Sequence, residues 1–600
     1  MRFPRFYAIN LKYIILLLAI CLLGAFTFIN FATTKLDQIA LEDEGLYRVH
    51  TSDFDPRQIT HVILSYINPR SSGEIRNSFF GDNGVYFHWD DWMDLNAGSS
   101  ILDKYREKYP DGQCDNLLRS FAGVSAYSIE TYETKVLRGM ADLYCVKDIP
   151  KRILVSTDKR MVEVPVVGKK RMGRLQLPKT SKKLLIDLVK EVDQDFPSSR
   201  FKTFDFQRLK PTRNVTIDEF ILEPDKEILH LNEKLKNGDI NKTERERLDF
   251  LEYSTGLAHK SNMYFKYPWI TTDLIKGKSH HFAYPFFSRY MSNRERQSVI
   301  QHLVRAWFLF AESNNFTSWV NYGSLLGWAF NGLNLPWDTD VDVQMPIKQL
   351  ERLGKDFNRT LVIENPRYGN SKYFLDVSST YVTQGNGKNF IDARFIDINS
   401  GLYIDITGLT HTSDKVPKKD YNNLRSLSKN DDPFCFHCKN WNWHSFDEIF
   451  PIRHTYFEGG SVYIPNNVSN ILKRKYGEDS YTKKHHFLGY NYQEDISLWI
   501  PDKVCRKSPP GDRFQGSNKE GLTLYGACGD PYLQDEYKIS RPCIERHLLL
   551  NKDIDASASY DITTLRDLPI LRKDWWEYYL DIIEKGVKDN SWYTKLEIVY

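Results

Sequence analysis

Charge of one sign is what this 600-residue chain has least of: 81 Lys and Arg face 78 Asp and Glu, a net charge of +3. No basic stretch interleaved with aromatics is present either, so nothing calls for nucleic acid as a partner. The run Lys169-Lys170-Arg171 with Arg174 is too short to alter this and reads as a solvated loop. Internal repeats are lacking, which excludes a solenoid or propeller array. Disorder is excluded by what the chain does have, 41% hydrophobic and 14% aromatic residues. A chain this long needs two or more cores.

The N-terminus carries the first specific signal. Tyr13 to Ala32 is a twenty-residue stretch without charge, in which Asn30 is the strongly polar residue. As a helix it would span a hydrocarbon core of about 30 Å. Arg2, Arg5 and Lys12 precede it, whereas Asp37, Glu42, Asp43 and Glu44 follow. That asymmetry predicts a single-pass type II signal anchor with the bulk of the chain lumenal, as in a Golgi membrane protein. The competing cleaved signal peptide has too long an apolar region and a poor cleavage site at Phe31-Ala32-Thr33. Five sequons, at Asn214, Asn241, Asn315, Asn358 and Asn467, agree with a lumenal address, as do seven cysteines after the anchor, most of which should then pair.

The expected organisation is a cytoplasmic tail (1–12), the anchor (13–32), a stem (33–55), an N-terminal lumenal domain (56–290), a chemistry-bearing domain (292–500) and a cysteine-containing, loop-rich C-terminal region (501–600). The fold class expected is α+β. In the N-terminal domain, His61–Tyr66 and Arg152–Ser156 read as strands, 181–192 as a helix, and 227–252 as a helical hairpin broken at Asn237-Gly238. Asp90, Asp91 and Asp94 beside Trp89 and Trp92 read as a surface acidic turn. Apolar residues from Val299 to Leu309 at helical intervals mark the helix that opens the next domain.

Chemistry concentrates between residues 319 and 345. Trp319–Tyr322 is a short strand candidate, Gly323-Ser324 a turn into a helical run ending at Asn331-Gly332, and backbone N–H groups at such a helix start suit a phosphate. A second strand then carries Asp338, Asp340 and Asp342, alternating with Thr339, Val341 and Val343. Alternation would set three carboxylates on one face, where they repel one another unless a cation such as Mn²⁺ or Mg²⁺ neutralises them. A further strand, 401–408, carries Asp405 between Ile404 and Ile406. Just before it, Arg394 offers a bidentate phosphate grip, or else an ordinary ion pair with Asp392 or Asp397. Cys435-Phe436-His437-Cys438, with His444 nearby, has zinc-ligand spacing, against which a lumenal address favours disulfides.

Tyr322-Gly323-Ser324-Leu325-Leu326-Gly327, Pro336-Trp337-Asp338-Thr339-Asp340-Val341-Asp342, Leu402-Tyr403-Ile404-Asp405-Ile406 and the later Ile449–Pro465 with Tyr476-Gly477 resemble the LicD/fukutin-related family. The resemblance covers roughly residues 300–500 and, with the anchor, is most similar to fungal Golgi proteins of mannosylphosphate transfer. It implies a nucleotidyltransferase-like lumenal domain, a mixed sheet flanked by helices. It also implies transfer of mannose 1-phosphate from GDP-mannose to a mannose-containing glycan. Asp338, Asp340 and Asp342 would hold the metal. Asp340, Asp342 and Asp405 would carry catalysis, while Gly323, Ser324 and Arg394 would bind substrate. Thr339 departs from the Asp found there in many members. Some fungal members act as activators, so a non-catalytic partner of a separate transferase stays open, as does an ordinary metal-dependent sugar transferase. Asp405→Asn is expected to relieve carboxylate repulsion at no cost in stability.

Overall fold

A computed structural model describes residues 54–68, 80–94, 139–258, 264–265, 282–287, 293–501, 531–556 and 572–577, with short breaks inside the longer runs. The single-pass membrane architecture is corrected: among the described residues no helix is long and apolar enough to cross a bilayer. The longest, Asn293–Ser313, carries Arg294, Glu295, Arg296, Arg305 and Glu312, so it is built to cover a sheet. Tyr13–Ala32, on which the anchor expectation rested, lies outside the described residues.

The strands in chain order are β1 (Phe80–Gly81), β2 (Gly84–Phe87), β3 (Arg152–Ser156), β4 (Arg160–Lys169), β5 (Thr203–Asp205), β6 (Thr212–Arg213), β7 (Trp319–Val320), β8 (Val341–Pro346), β9 (Thr360–Ile363), β10 (Lys372–Val377), β11 (Ala393–Asp397) and β12 (Tyr403–Leu409). All but β6 belong to one mixed sheet of eleven strands, ordered β1-β2-β4-β3-β9-β10-β11-β12-β8-β7, with β5 on β4. The sheet therefore runs across the boundary expected near residue 290, because β3 pairs in parallel with β9.

Period-2 alternation sorts its side chains into two cores. Leu154, Val362, Leu375, Phe395 and Ile404 join Leu303, Trp307 and Phe310 of the helix Asn293–Ser313 and Leu350 and Leu353 of the helix Ile347–Phe357. Ile153, Val155, Leu361, Phe374, Ile396 and Tyr403 join Ile59 and Ile63 of the helix Pro56–Ile67 and Leu185 and Leu188 of the helix Lys182–Gln194. Helices thus cover both faces of a mixed sheet.

Several local readings change. His61–Tyr66 is helical, because Asp55 caps the N-terminus by accepting the Arg57 N–H and Pro56 presets the first turn. Trp89 and Trp92 are fully buried in a short helix, so the Asp90–Asp91 stretch is no surface turn. The hairpin exists as Pro224–Asn237 and Lys242–Ala258, with Gly238 left-handed at φ 76° between them. Residues 531–550 form a helix despite Pro542. Of the described cysteines, Cys145 is disulfide-bonded, but Cys435, Cys438 and Cys543 are in no disulfide, against the expected pairing. Sequon residues Asn358 and Asn467 use their side-chain oxygens internally, accepting from the N–H groups of Val377 and Asn470.

Three small sheets complete the described fold: the hairpin β13 (Cys435–His437) and β14 (Trp443–Ser445); β15 (Ile452–Phe457) and β16 (Gly460–Ile464) with β6; and β17 (His486–Phe487), β18 (Tyr490–Gln493) and β19 (Leu498–Pro501).

Candidate active site

Asp342 stands second in β8, and the parallel register sets Asp405 of β12 directly opposite it. Neighbouring strands lie about 4.8 Å apart, so this register alone brings the two carboxylates side by side. Asp340 reaches them from the segment preceding β8. One ligand atom from each of Asp340, Asp342 and Asp405 lies within 4.8 Å of the others, and among the described residues no other group of three such side chains converges this way.

The three aspartates of the Asp-x-Asp-x-Asp stretch do not share a strand. β8 starts only at Val341. Upstream, Pro336 and Trp337 turn the chain, closed by the Asp338 N–H donating to the Leu335 carbonyl at 2.9 Å, and Asn334 Nδ2 holds the carbonyls of Asp338 and Asp340 at 3.4 and 3.3 Å. Asp338 sits one step back from the cluster, hydrogen-bonded to Asp340. Val341 and Val343 face the core as expected from alternation.

Gly323 and Ser324 lie inside the first turn of the helix Tyr322–Asn331, whose cap is Asn321, accepting the Tyr322 N–H at 2.8 Å. A Cβ added at Gly323 would overlap Asp338 Oδ2, so glycine is what lets the acidic segment approach the helix. Ser324 is fully buried, and its Oγ accepts the Asp342 N–H at 3.0 Å. It fixes the start of β8. Tyr322 adopts φ 51°, an uncommon conformation for a bulky residue. Its hydroxyl accepts from Gln344 Nε2 at 2.9 Å and Asn442 Nδ2 at 3.3 Å and lies 3.3 Å from Cys438 Sγ.

Arg394 lies under the cluster. Its side chain is completely buried, Nε donates to Asp405 Oδ1 at 2.7 Å, and its guanidinium lies 3.6 Å from the Tyr403 ring centroid. The two aspartates considered as its partners are otherwise engaged: Asp392 pairs with Lys439 at 2.6 Å, and Asp397 accepts from the Ser400 N–H at 3.1 Å.

Electrostatics follow from this crowding. Burial, then the charges of Asp340, Asp405 and Asp338, push the Asp342 carboxyl well above the usual carboxylate range. Burial also raises Asp340, opposed by its hydrogen bond to Asp338 and by Arg394. An all-oxygen set of closely spaced carboxylates, reluctant to be charged together, suits a hard divalent cation.

Reading the sequence missed the opposite wall. The helix Val468–Tyr476 packs on Tyr322–Asn331, and its exposed Lys475 is the cation that lowers Asp342. The charges of Asp342, Asp338 and Asp340 act on Tyr476. The available signal was the basic run Lys473-Arg474-Lys475 closing an amphipathic helix, and nothing in that pattern points inward.

The zinc candidates Cys435, His437, Cys438 and His444, all among the described residues, form no converging group of three ligand atoms. Cys438 Sγ faces the Tyr322 hydroxyl, His437 Nδ1 and Nε2 contact the Cys438 carbonyl and Thr412 Oγ1 at 2.9 and 2.8 Å, and His444 Nδ1 contacts Glu448 at 3.0 Å.

Residues 315–467 match the LicD/FKTN/FKRP nucleotidyltransferase domain family. Two curated yeast proteins, from Saccharomyces cerevisiae (strain ATCC 204508 / S288c), are similar to this chain. Mannosyltransferase regulator 4 is 49% identical over 132 residues, 22% of this chain and 11% of that protein. Mannosyltransferase regulator 14 is 49% identical over 123 residues, 20% of this chain and 13% of that protein. The matches thus span about an eighth of each relative's length or less. All four converging or adjacent aspartates lie inside the matched domain.

Proposed function

We propose that this chain is a metal-dependent phosphosugar transferase that moves mannose 1-phosphate from GDP-mannose to mannose residues of glycoprotein glycans. The observation that carries the reading is the convergence of Asp340, Asp342 and Asp405 within a domain of the nucleotidyltransferase type. Asp340 and Asp342 would hold Mn²⁺ or Mg²⁺, with Asp405 completing the set, and the ion would neutralise charge on the donor pyrophosphate. Asp338 orients Asp340, Ser324 fixes the Asp342 backbone, and Arg394 pairs with Asp405 in a buried strand. An acceptor hydroxyl then attacks the mannose-bearing phosphorus. The new bond joins acceptor oxygen to that phosphorus, the bond to the bridging pyrophosphate oxygen breaks, and GMP leaves. The acceptor proton passes to a carboxylate of the cluster. Rate enhancement rests on positioning and charge neutralisation.

The names of the two yeast relatives favour a second reading, a regulator that serves a separate mannosyltransferase. Purified protein separates the two. On the catalytic reading, mannan incubated with it, GDP-mannose and Mn²⁺ gains phosphate, EDTA abolishes the gain, and Asp342→Ala loses it while staying folded. Activity that appears only when a second transferase is added would support the regulator.

A further inference from the structure

Besides its carboxylates, the site has cations of two kinds. Arg394 is fully buried and paired with Asp405. Lys475 differs, being exposed at the end of the helix Val468–Tyr476 and close enough to Asp342 to stabilise its charge. It has no carboxylate partner among the described residues. Its Nζ instead donates to Asn442 Oδ1 at 2.8 Å and lies 5.4 Å from the Tyr322 ring centroid. An ammonium has three N–H donors, so one is used and the other two have no acceptor among the described residues.

The lysine is held in place by a relay. Asn442 Nδ2 donates to the Tyr322 hydroxyl at 3.3 Å, which also accepts from Gln344 Nε2 at 2.9 Å, and Gln344 Oε1 in turn accepts from Asn321 Nδ2. Gln344 lies two residues beyond Asp342 on β8, and Asn321 caps the helix that bears Gly323 and Ser324. One chain of hydrogen bonds therefore ties the lysine at the rim to the strand and helix that place the carboxylates. A flexible surface lysine needs no such support, and a salt bridge would have sought a carboxylate. This end of the helix therefore carries a positive charge near enough to the acidic cluster to act on Asp342.

We propose that Lys475 is a substrate-binding residue whose ammonium grips a phosphate oxygen of the donor pyrophosphate, with Asn442 and Tyr322 as its positioning residues. The assignment rests on the transferase reading above and deepens it. A phosphate bound by the carboxylate-held cation on one side meets Lys475 on the other, and an ammonium acts as a point charge that needs no bidentate geometry.

Calorimetry with inorganic pyrophosphate as the probe tests this, each titration run with Mn²⁺ present and Mn²⁺ alone titrated separately. Lys475→Met is expected to weaken pyrophosphate about tenfold or more while Mn²⁺ affinity holds or tightens, since a positive charge near Asp342 is lost. Lys475→Arg should restore much of the affinity. Asn442→Leu should give an intermediate loss, because it loosens the lysine without removing it. Thermal melting checks that these variants are folded, as expected for an exposed residue. Pyrophosphate binding equal to wild type in Lys475→Met overturns the assignment and leaves the transferase reading standing. A parallel fall in Mn²⁺ affinity also overturns it, since the lysine would then be shaping the carboxylates. Wild-type protein that binds Mn²⁺ but not pyrophosphate refutes the transferase reading itself, and the assignment with it.

Discussion

Replacing Asp405 by Asn sets two electrostatic effects against each other in a buried strand. Relief of repulsion is the first. Two unit charges about 4.8 Å apart repel by roughly 3 kcal/mol at an effective dielectric of about 20. Burial, then its acidic neighbours, hold the Asp342 carboxyl well above the usual carboxylate range in metal-free protein, so the pair is reluctant to be charged together. Little repulsion is therefore left to relieve. The second effect is loss of the Arg394 pair, 2.7 Å between side chains that are 0% and 5% exposed. Removing one partner of a buried pair costs about 3–5 kcal/mol, because the other charge is left uncompensated. The second effect wins. Asp405→Asn should lower unfolding free energy by about 3–5 kcal/mol in urea titrations with EDTA, which reverses the expectation from sequence that the substitution costs no stability. The double variant Asp405→Asn/Arg394→Met should recover much of that loss. An Asp405→Asn protein as stable as wild type in EDTA refutes the reasoning.

Other outcomes follow from the same geometry. Ser324→Ala leaves the Asp342 N–H without its buried acceptor and should cost about 1–3 kcal/mol in thermal or urea unfolding, with weaker Mn²⁺ binding by calorimetry. Gly323→Ala drives a methyl into Asp338 and should cost about 1–3 kcal/mol and impair transfer. The folded-state pKa of Asp342 and Asp340 is raised, so their share of stability is present at low pH and lost as pH rises above the unfolded value. Metal-free protein should accordingly melt higher as pH is lowered from neutrality towards the ordinary carboxylate range. Asp397 and Glu458, both pushed up to about 7 by burial, act with the same sign, so the reading is the difference between wild type and Asp342→Asn. Mn²⁺ binding should release protons, detected as buffer-dependent calorimetric heat.

How much of this was legible depends on which forces are local. The Asp-x-Asp-x-Asp spacing and the Ile404-Asp405-Ile406 alternation are local, and they drew attention to the residues that the fold gathers. Strand pairing is not local. The parallel register of Asp342 with Asp405 joins residues more than sixty positions apart, and β3 on β9 joins two regions read as separate domains. Side-chain pairing was less legible still. Arg394 had three aspartates within reach in sequence, and only the sheet, which puts residue 394 opposite residue 405, selects Asp405. Lys475 sits in a basic run that looks solvated, and its position is set by helix packing against Tyr322–Asn331. His61–Tyr66 misled because a fully buried apolar run has no period, so the Asp55 cap and Pro56 were the better guides.

The central claim, phosphosugar transfer by this chain's own carboxylates, is tested most directly by the nucleotide left behind. Purified protein is incubated with GDP-mannose, Mn²⁺ and a mannan acceptor, and the products are resolved by anion-exchange chromatography beside Asp342→Ala. The account predicts acceptor-dependent GMP, abolished by EDTA and absent in the variant. GDP as the product would show ordinary sugar transfer, and no nucleotide release from folded, Mn²⁺-loaded protein would contradict catalysis altogether.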